Sequence, residues 1–403
     1  MKEKRRERKY AVRFVTCMGI MMRKMLMTAS VPSMIGAFNM NNIKILKNMG
    51  YEVHVACDFS DRSVWDKKKI RELVRELKLL QIKCHQIDFS RKVYDFHRHI
   101  KAYKQLVQLL SENQFTFIHC HAPISGIITR SAAKKQNVKI IYTAHGFHFF
   151  KGAPVINWLL FYPLEKYYAK YTDILVTINS EDYNRALKKF KAKRIYKIPS
   201  VGLDNARINQ CHINRNEKRK EMDIPEDGFV LISVGELSKR KNQEVILRAV
   251  GRIKDDNIYY LLAGVGENEQ AYQKLIDESG MSKNIFLLGR REDVIELCKM
   301  SDVFVHPSIR EGLGMAPLEG MAAGLPLISS NVNGINDYSV NGITGYSCRP
   351  DDIDGFVRSI HKLKHNPELR KRMGEHNKTE ALKFDLSVTE KIMTQIYKEI
   401  KEI

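Results

Sequence analysis

Short apolar runs alternate with longer amphipathic stretches along most of the chain. In its first half the runs cover residues 24–29, 52–57, 83–87, 115–119, 139–143, 174–178 and 194–198. Amphipathic stretches lie between several of them, at residues 39–48, 62–80, 96–111 and 124–135. This alternation is typical of a parallel sheet flanked by helices.

A second series follows a polar, strongly charged stretch in which apolar periodicity disappears. Its predicted strands are residues 229–234, 259–263, 284–288, 303–306, 326–329 and 344–346, and its predicted helices are 243–253, 267–279, 291–300 and 316–323. The chain is therefore predicted to be α/β, with two Rossmann-like doubly wound domains facing a central cleft, where such folds bind ligands. The predicted boundaries are a basic extension (1–20), a first domain (21–204), a linker (205–226), a second domain (227–383) and a C-terminal helix (384–403) that packs back on the first domain.

The composition agrees with two folded domains. A chain of 403 residues exceeds the size of a single growing core, and 44% hydrophobic residues is a globular value. The seven cysteines are scattered and form no Cys-x-x-Cys pair, which predicts reduced thiols in a cytoplasmic protein. Arg13 interrupts the apolar residues 12–22, and no run of about 18 apolar residues occurs, so neither a secretion signal nor a membrane span is expected.

The formal charge of +21 must attract anions, whether nucleic acid, an anionic membrane or phosphorylated substrates. The first 25 residues carry a net +7 of it, from nine Lys or Arg and two Glu. Together with the basic stretches 62–78 and 91–104, they suggest that the first domain docks on an anionic inner membrane. The alternative is a solvated face that keeps the protein in solution.

The segment 306–326, HPSIREGLGMAPLEGMAAGLP, is the most specific one. It is predicted to form a strand, a glycine-bearing loop and a short helix. Gly312 and Gly314 let the backbone approach a ligand, and free amides at a helix start can bind phosphate. Glu311 and Glu319 can accept hydrogen bonds from hydroxyls of the same ligand; the alternative is two solvated surface carboxylates.

This segment resembles the Glu-x7-Glu motif of the family-4 retaining glycosyltransferases, which have the GT-B fold and include enzymes of bacterial capsule and exopolysaccharide synthesis. The resemblance extends from about Met25 to the C-terminus. It implies an N-terminal acceptor domain and a C-terminal nucleotide-sugar-binding domain. It also implies that Glu311 holds hydroxyls of the donor sugar, that Glu319 holds the nucleotide ribose, and that amides of three residues bind the diphosphate: Gly314, Met315 and Ala316.

Residues 234–242, VGELSKRKN, resemble the family's strand-to-helix turn, in which a basic pair neutralises the donor diphosphate. Gly235 and Lys241 match family positions. The usual arginine directly after the glycine is replaced by Glu236, and Lys239 or Arg240 is the candidate substitute. The alternative is a solvated charge run.

Three histidines and one arginine are further candidates. His145 follows a predicted strand in YTAHGFH, where the family has a histidine near the donor sugar; the alternative is a structural hydrogen-bonding histidine. Arg290 lies in FLLGRRED, which resembles the segment whose backbone pairs with the nucleotide base, and it could equally be an exposed surface residue. His119 and His121 are interpreted as structural, because zinc would require further ligands.

Ser33 and Gly36, in SVPSMIG, resemble the loop after the first strand that faces donor phosphate and acceptor in this family. Residues 351–354, DDID, superficially suggest a metal-binding Asp-x-Asp, but they are interpreted as a helix cap with first-turn acids. Neither a metal nor another cofactor is expected, because enzymes of this fold generally neutralise the donor with cations and amides. The nucleotide sugar is a substrate.

The resemblance implies a hexosyl or N-acetylhexosaminyl transferase acting with retention. The expected donor is a nucleotide sugar, specifically a UDP-sugar, and the expected acceptor is a hydroxyl of a glycan or lipid-linked oligosaccharide in surface polysaccharide synthesis. The expected location is cytoplasmic and peripheral at the inner face of the cell membrane. Two alternatives stay open: a nucleotide-sugar epimerase or hydrolase of the same fold, and a non-enzymatic nucleic-acid binder suggested only by the charge.

Residues 1–20 are predicted to be dispensable for catalysis, because the recognisable fold begins near residues 21–25. Deleting them should leave turnover on a soluble acceptor intact. A shortened protein that fails to fold or to turn over would contradict this boundary.

Overall fold

The computed structural model describes residues 23–403, so the predicted extension 1–20 lies outside the described chain. The chain divides into two compact units. The first comprises the described residues up to Tyr142, with Tyr171–Asp173 and Tyr397–Ile403. The second comprises Thr143–Lys170 and Ile174–Ile396.

Two Rossmann-like parallel sheets form the framework, which confirms the predicted fold class. The first has the strand order β3-β2-β1-β4-β5-β6-β7. Its strands are β1 (Lys24–Thr28), β2 (Glu52–Cys57), β3 (Lys83–Gln86), β4 (Phe115–His121), β5 (Lys139–Ala144), β6 (Ile174–Thr177) and β7 (Arg194–Lys197). The second has the order β10-β9-β8-β11-β12-β13. Its strands are β8 (Phe229–Val234), β9 (Ile258–Ala263), β10 (Ile285–Leu287), β11 (Val303–His306), β12 (Leu327–Ser330) and β13 (Gly345–Cys348).

Helices connect the strands, as crossover connections in parallel sheets require. From β1 to β7 they are α1 (Pro32–Phe38), α2 (Met40–Asn48), α3 (Lys67–Leu79), α4 (Phe96–Glu112), α5 (Pro123–Gln136), α6 (Val155–Ala169) and α7 (Ser180–Lys189). After β7 come α8 (Asn205–Gln210), α9 (Arg215–Lys220), α10 (Gln243–Ile253), α11 (Glu269–Ser279), α12 (Val294–Met300), α13 (Met315–Ala322), α14 (Ile353–Lys364), α15 (Pro367–Ala381) and α16 (Leu386–Glu399).

The apolar runs form central strands because both faces of a parallel sheet are covered. In the second sheet Leu231 of β8 and Tyr260 of β9 are fully buried in one cluster with Ile246 of α10 and Phe356 of α14. No helix within residues 23–403 combines the length and the apolar character that a membrane crossing needs.

All the predicted strands are present, with ends shifted by a few residues at most. The predicted helix 62–80 begins later, at Lys67, because the Asp66 carboxylate accepts the Lys69 amide 2.8 Å away and caps the helix there. Helix α6 was not predicted, since its sequence, VINWLLFYPLEKYYA, is apolar nearly all round and contains Pro163.

The polar stretch 205–226 is fixed by one buried guanidinium. Arg219 of α9, only 2% exposed, donates to the backbone oxygens of Met300, Glu226 and Gly228 and pairs with Asp302 at 2.8 Å. The other Asp302 oxygen pairs with Arg215 at 2.6 Å, and that arginine is exposed.

Arg219→Met should lower the free energy of unfolding by about 3 kcal/mol, because two buried carbonyls, one half-buried carbonyl and one oxygen of Asp302 lose their donor. Arg215→Met is the matched control: it removes the exposed partner of the same carboxylate and should cost less than about 1 kcal/mol. Denaturant titration measures both values. If both variants lost the same free energy of unfolding, burial would not determine how much Arg219 contributes to stability.

Candidate active site

The candidate residues of the second unit gather at the carboxyl ends of its parallel strands, where open α/β sheets bind ligands. Gly235 directly follows β8, and its amide donates to Ala263 at the end of β9. His306 ends the neighbouring strand β11, and Glu311 lies in the loop between β11 and α13.

The Glu311 carboxylate is the centre of a charged cluster. Its Oε2 lies 2.5 Å from Lys241 Nζ and 3.4 Å from Arg240 Nη1. The Ser308 hydroxyl and His306 Nε2 are also 3.4 Å from the same oxygen. One carboxylate oxygen therefore faces two cations, a hydroxyl and an imidazole.

These neighbours keep Glu311 ionised. Burial is the largest influence and by itself would raise the pKa of Glu311, but Lys241, His306 and Arg240 together outweigh it and hold that pKa well below its usual range. Burial lowers the pKa of His306 despite its contact with Glu311, so this imidazole is neutral at pH 7.

Arg240, one of the two candidates for the second cation, lies beside Lys241 at the Glu311 carboxylate. Its Nη2 lies 3.6 Å from the Glu236 carboxylate, and its Nη1 reaches Glu311. Lys239, by contrast, is exposed and has no ion pair or hydrogen bond in the described part of the chain. The structure therefore brings Arg240 and Lys241 together on one acid.

The start of α13 lies beside this cluster. Gly314 caps the helix with a φ of +89°, in the left-handed region that favours glycine. A Cβ there would lie 3.1 Å from Glu311 Cγ and 3.2 Å from His306 Nε2. The amides of Met315 and Ala316 lie in the first turn, which has no intrahelical acceptors and can bind an anion.

Glu319 and Arg290 are placed differently. Glu319 lies one turn further along α13, partly buried, and burial raises its pKa while Arg207 lowers it. No ion pair or hydrogen bond within residues 23–403 joins it to Glu311. Arg290 is exposed three residues beyond the end of β10, after Gly289. Their predicted ligand contacts stay predictions.

His145 follows β5 and touches the Glu311 loop through the backbone. A Cβ added at Gly312 would collide with the carbonyl oxygen of His145, so only glycine permits this approach. Burial lowers the pKa of His145 to about 4, and the imidazole is therefore neutral at pH 7.

Asn179 and Asp182 hold this approach in place, and the sequence analysis missed them. Asn179 Nδ2 donates to the Gly312 carbonyl at 2.8 Å and to Asp182 Oδ2 at 2.9 Å. The same Asp182 oxygen accepts the Phe147 amide at 2.8 Å. The available signal was an asparagine followed three residues later by an acid, which is a capping pattern; Asn179 caps α7.

Two predictions outside the second unit's charged cluster have definite outcomes. Ser33 and Gly36 were predicted to lie in a loop, and this is wrong. Both residues lie in α1, because Pro32 starts a helix soon after β1. A Cβ at Gly36 would collide with the Trp65 ring, so this glycine serves packing. The predicted cap in residues 351–354 is confirmed: Asp352 accepts the Gly355 amide at 2.8 Å.

One of the paired histidines has a structural hydrogen-bonding partner. The His119 Nδ1 lies 2.8 Å from the Tyr397 hydroxyl within the first unit. Throughout residues 23–403, no three His, Cys, Asp or Glu side chains form a cluster that could hold a metal ion.

The pKa of Asp182 gives a test of the network. Burial raises this pKa to about 6 from 3.8, although the Phe147 and Asn179 hydrogen bonds lower it. Because the folded-state pKa is the higher one, the stability that the protonated carboxyl contributes is present below about pH 4 and is lost as the pH rises through about 6. The linked change is at most about 3 kcal/mol.

The wild type should therefore exceed Asp182→Asn in free energy of unfolding by more at pH 4 than at pH 7.5. Urea titrations at several pH values measure it. Asp277→Asn, at an exposed carboxylate, controls for the removal of one acidic group. A difference that does not change with pH would contradict the assignment.

Comparisons with known families cover most of the chain. Residues 214–380 match the family described as "Glycosyl transferases group 1". Residues 34–179 match "Glycosyl transferase 4-like".

Individual relatives agree with both matches. The chain is 35% identical over 384 residues to a Bacillus subtilis protein named as a glycosyltransferase, EpsD, covering 94% of this chain and 97% of the relative. It is 32% identical over 274 residues to an Escherichia coli UDP-Gal:α-D-GlcNAc-diphosphoundecaprenol α-1,3-galactosyltransferase, covering 66% and 70%. The crystal structure of Anabaena HepE with UDP and glucose superimposes with a TM-score of 0.74 at 17% identity, covering 93% of this chain and 100% of that one.

Proposed function

Because this chain belongs to the group 1 glycosyltransferases and has their GT-B fold, we propose that it moves a sugar from a nucleotide-sugar donor to an acceptor hydroxyl with retention at the anomeric carbon. The observation that carries the proposal is the buried Glu311 carboxylate, held ionised by Lys241 and Arg240 beside the first turn of α13. This arrangement offers an acceptor for sugar hydroxyls next to cations and amides for a diphosphate.

In this proposal the donor binds by displacing ion pairs of the unliganded site. When the diphosphate arrives, Lys241 and Arg240 turn from Glu311 to the phosphate oxygens, and the freed carboxylate accepts hydroxyls of the sugar. The amides of Gly314, Met315 and Ala316 bind the diphosphate at the helix start, where the helix dipole also favours an anion. Glu319, further along α13, binds the ribose hydroxyls.

The reaction replaces one bond at the anomeric carbon by another. The bond to the diphosphate oxygen breaks, the acceptor oxygen bonds to the same face, and the acceptor proton passes to the departing diphosphate oxygen. The protein positions the reactants and stabilises the charge that grows on the diphosphate. In this proposal Lys241, Arg240 and the amides supply that stabilisation without a metal or other cofactor, and His145 acts as a neutral hydrogen-bonding group.

A UDP-sugar donor and a lipid-linked glycan acceptor are the proposed substrates. HepE binds UDP and glucose, and the Escherichia coli relative uses UDP-Gal with a diphosphoundecaprenol-linked acceptor. A capsular polysaccharide glycosyltransferase of Staphylococcus aureus, CapM, is a further relative at 25% identity. These likenesses support a hexosyl or N-acetylhexosaminyl transferase of surface polysaccharide synthesis.

The lipid-linked acceptor implies a cytoplasmic protein that works at the inner face of the membrane. The basic stretch 91–104 of the first unit supports this, because it also exposes the apolar side chains of Tyr94, Phe96 and Ile100. The proposed domain roles are acceptor binding by residues 21–204 and donor binding by residues 227–383. The family matches favour this transferase over an epimerase, a hydrolase or a nucleic-acid binder.

Variants of the proposed donor site should impair different steps, either donor binding or sugar transfer. Lys241→Ala should lower the rate of sugar transfer by about two orders of magnitude or more, because a stabilising contact to a developing charge is worth on the order of 3 kcal/mol. Glu319→Ala should weaken UDP-sugar and UDP alike, since both contain the ribose. Glu311→Ala should weaken the UDP-sugar and spare UDP.

Calorimetric titration with UDP and UDP-sugar, followed by transfer kinetics, separates these effects. Lys239→Ala is the matched control, because it removes an exposed lysine two residues from Lys241 and should change neither quantity. Product analysis without acceptor distinguishes transfer from hydrolysis. If Glu319→Ala and Lys241→Ala both leave UDP affinity and turnover unchanged, the proposed site is wrong.

A further inference from the structure

Helix α6 carries an exposed apolar stripe. Val155 is 72% exposed, Ile156 57% and Leu159 67%, and the stripe continues through Leu160 and Leu164. Successive positions are one, three or four residues apart, so together they lie on one side of the helix. Exposed apolar side chains gathered in this way mark an interaction or membrane surface.

The other face of the helix is firmly packed. Trp158 and Tyr162 lie 5.6 and 5.3 Å from the Phe149 ring, measured between centroids, and Tyr162 lies 6.0 Å from Phe190. Glu165, the only acidic residue in residues 151–170, is 2% exposed. The stripe is thus presented by a helix with a well-packed opposite face.

Exposed lysines lie at both ends of α6. Lys151 precedes the helix, and Lys166 and Lys170 are at its C-terminal end. The exposed charged side chains of residues 151–170 are therefore all cationic, since Glu165 is buried. An apolar face with cations at both ends complements a surface that is apolar inside and anionic outside.

We propose that α6 lies in the interface of an anionic lipid bilayer, with Val155, Ile156, Leu159 and Leu160 inserted among the acyl chains and the lysines at the headgroups. Such interfacial helices combine buried apolar area with attraction to anionic lipids. The anchor belongs to the second unit and is separate from the basic stretches 62–78 and 91–104.

The anchored helix is joined to the loop that bears His145. Phe161 of α6 stacks on His148 with ring centroids 4.4 Å apart, and Phe149 packs on Trp158. That loop in turn contacts Gly312, next to Glu311. Packing contacts therefore connect the proposed anchor to the loop beside the charged cluster, so that docking would hold this cluster near a lipid-linked acceptor, an inference that rests on the proposed function.

Flotation with vesicles of phosphatidylglycerol and phosphatidylcholine tests the anchor on the full chain. Ile156→Glu/Leu159→Glu should lower the fraction bound at least about tenfold, because burial of even one such side chain is worth that factor. Val340→Glu/Ile343→Glu, which charges two exposed apolar residues of the second unit away from α6, is the matched control and should bind as the wild type does. Lys166→Gln/Lys170→Gln removes two exposed lysines at the C-terminal end of α6; it should weaken binding to these vesicles and leave binding to pure phosphatidylcholine unchanged.

Unchanged vesicle binding by Ile156→Glu/Leu159→Glu would overturn the proposal. So would a dimer of the wild type that this variant converts to monomers, since a second copy would then cover the stripe. Turnover on a water-soluble acceptor separates the anchor from the proposed function: the variant should retain it. A wild type that binds vesicles but transfers no sugar would refute the proposed function and leave the anchor standing.

Discussion

One buried carboxylate determines how the candidate site is built. Glu311 sits where burial opposes its charge, and Lys241, His306 and Arg240, which face the same oxygen, keep it ionised. An unpaired charge in this place would be strongly destabilising, so the cations are required before any ligand arrives. In the proposed function the same two cations bind the donor diphosphate, so they exchange one anionic partner for another.

Close backbone approaches fix the geometry around that carboxylate. Gly312 meets the His145 carbonyl, and a Cβ at Gly334 would collide with the carbonyl of Gly312, so three chain segments converge without side chains between them. Asn179 ties Gly312 to the Asp182 carboxyl. Groups placed by backbone contacts move little, and electrostatic stabilisation depends on such preorganisation.

The sequence predicted the fold and part of the site, for identifiable physical reasons. Strands such as β8 and the Glu311 to Gly314 loop have local signatures: apolar runs, glycines and a helix start. Helix α6 was not predicted, because a sequence that is apolar at almost every position shows no helical period of apolar and polar residues. The buried guanidinium of Arg219 and the partnership of Arg240 with Glu311 depend on contacts distant in sequence, so charge alone could not distinguish them from solvated residues.

The second unit reverses the usual distribution of polar and apolar groups in two places. It encloses most of the ion pair between Glu311 and Lys241, whose side chains are 12% and 14% exposed, and it exposes an apolar stripe on α6. Each arrangement costs stability in the isolated protein, because charges lose hydration and apolar area meets water. The proposed anionic donor would relieve the first cost, and the proposed lipid surface would relieve the second. Both departures thus fit the proposed function, in which the donor is a charged, water-soluble nucleotide sugar and the acceptor is carried by a lipid.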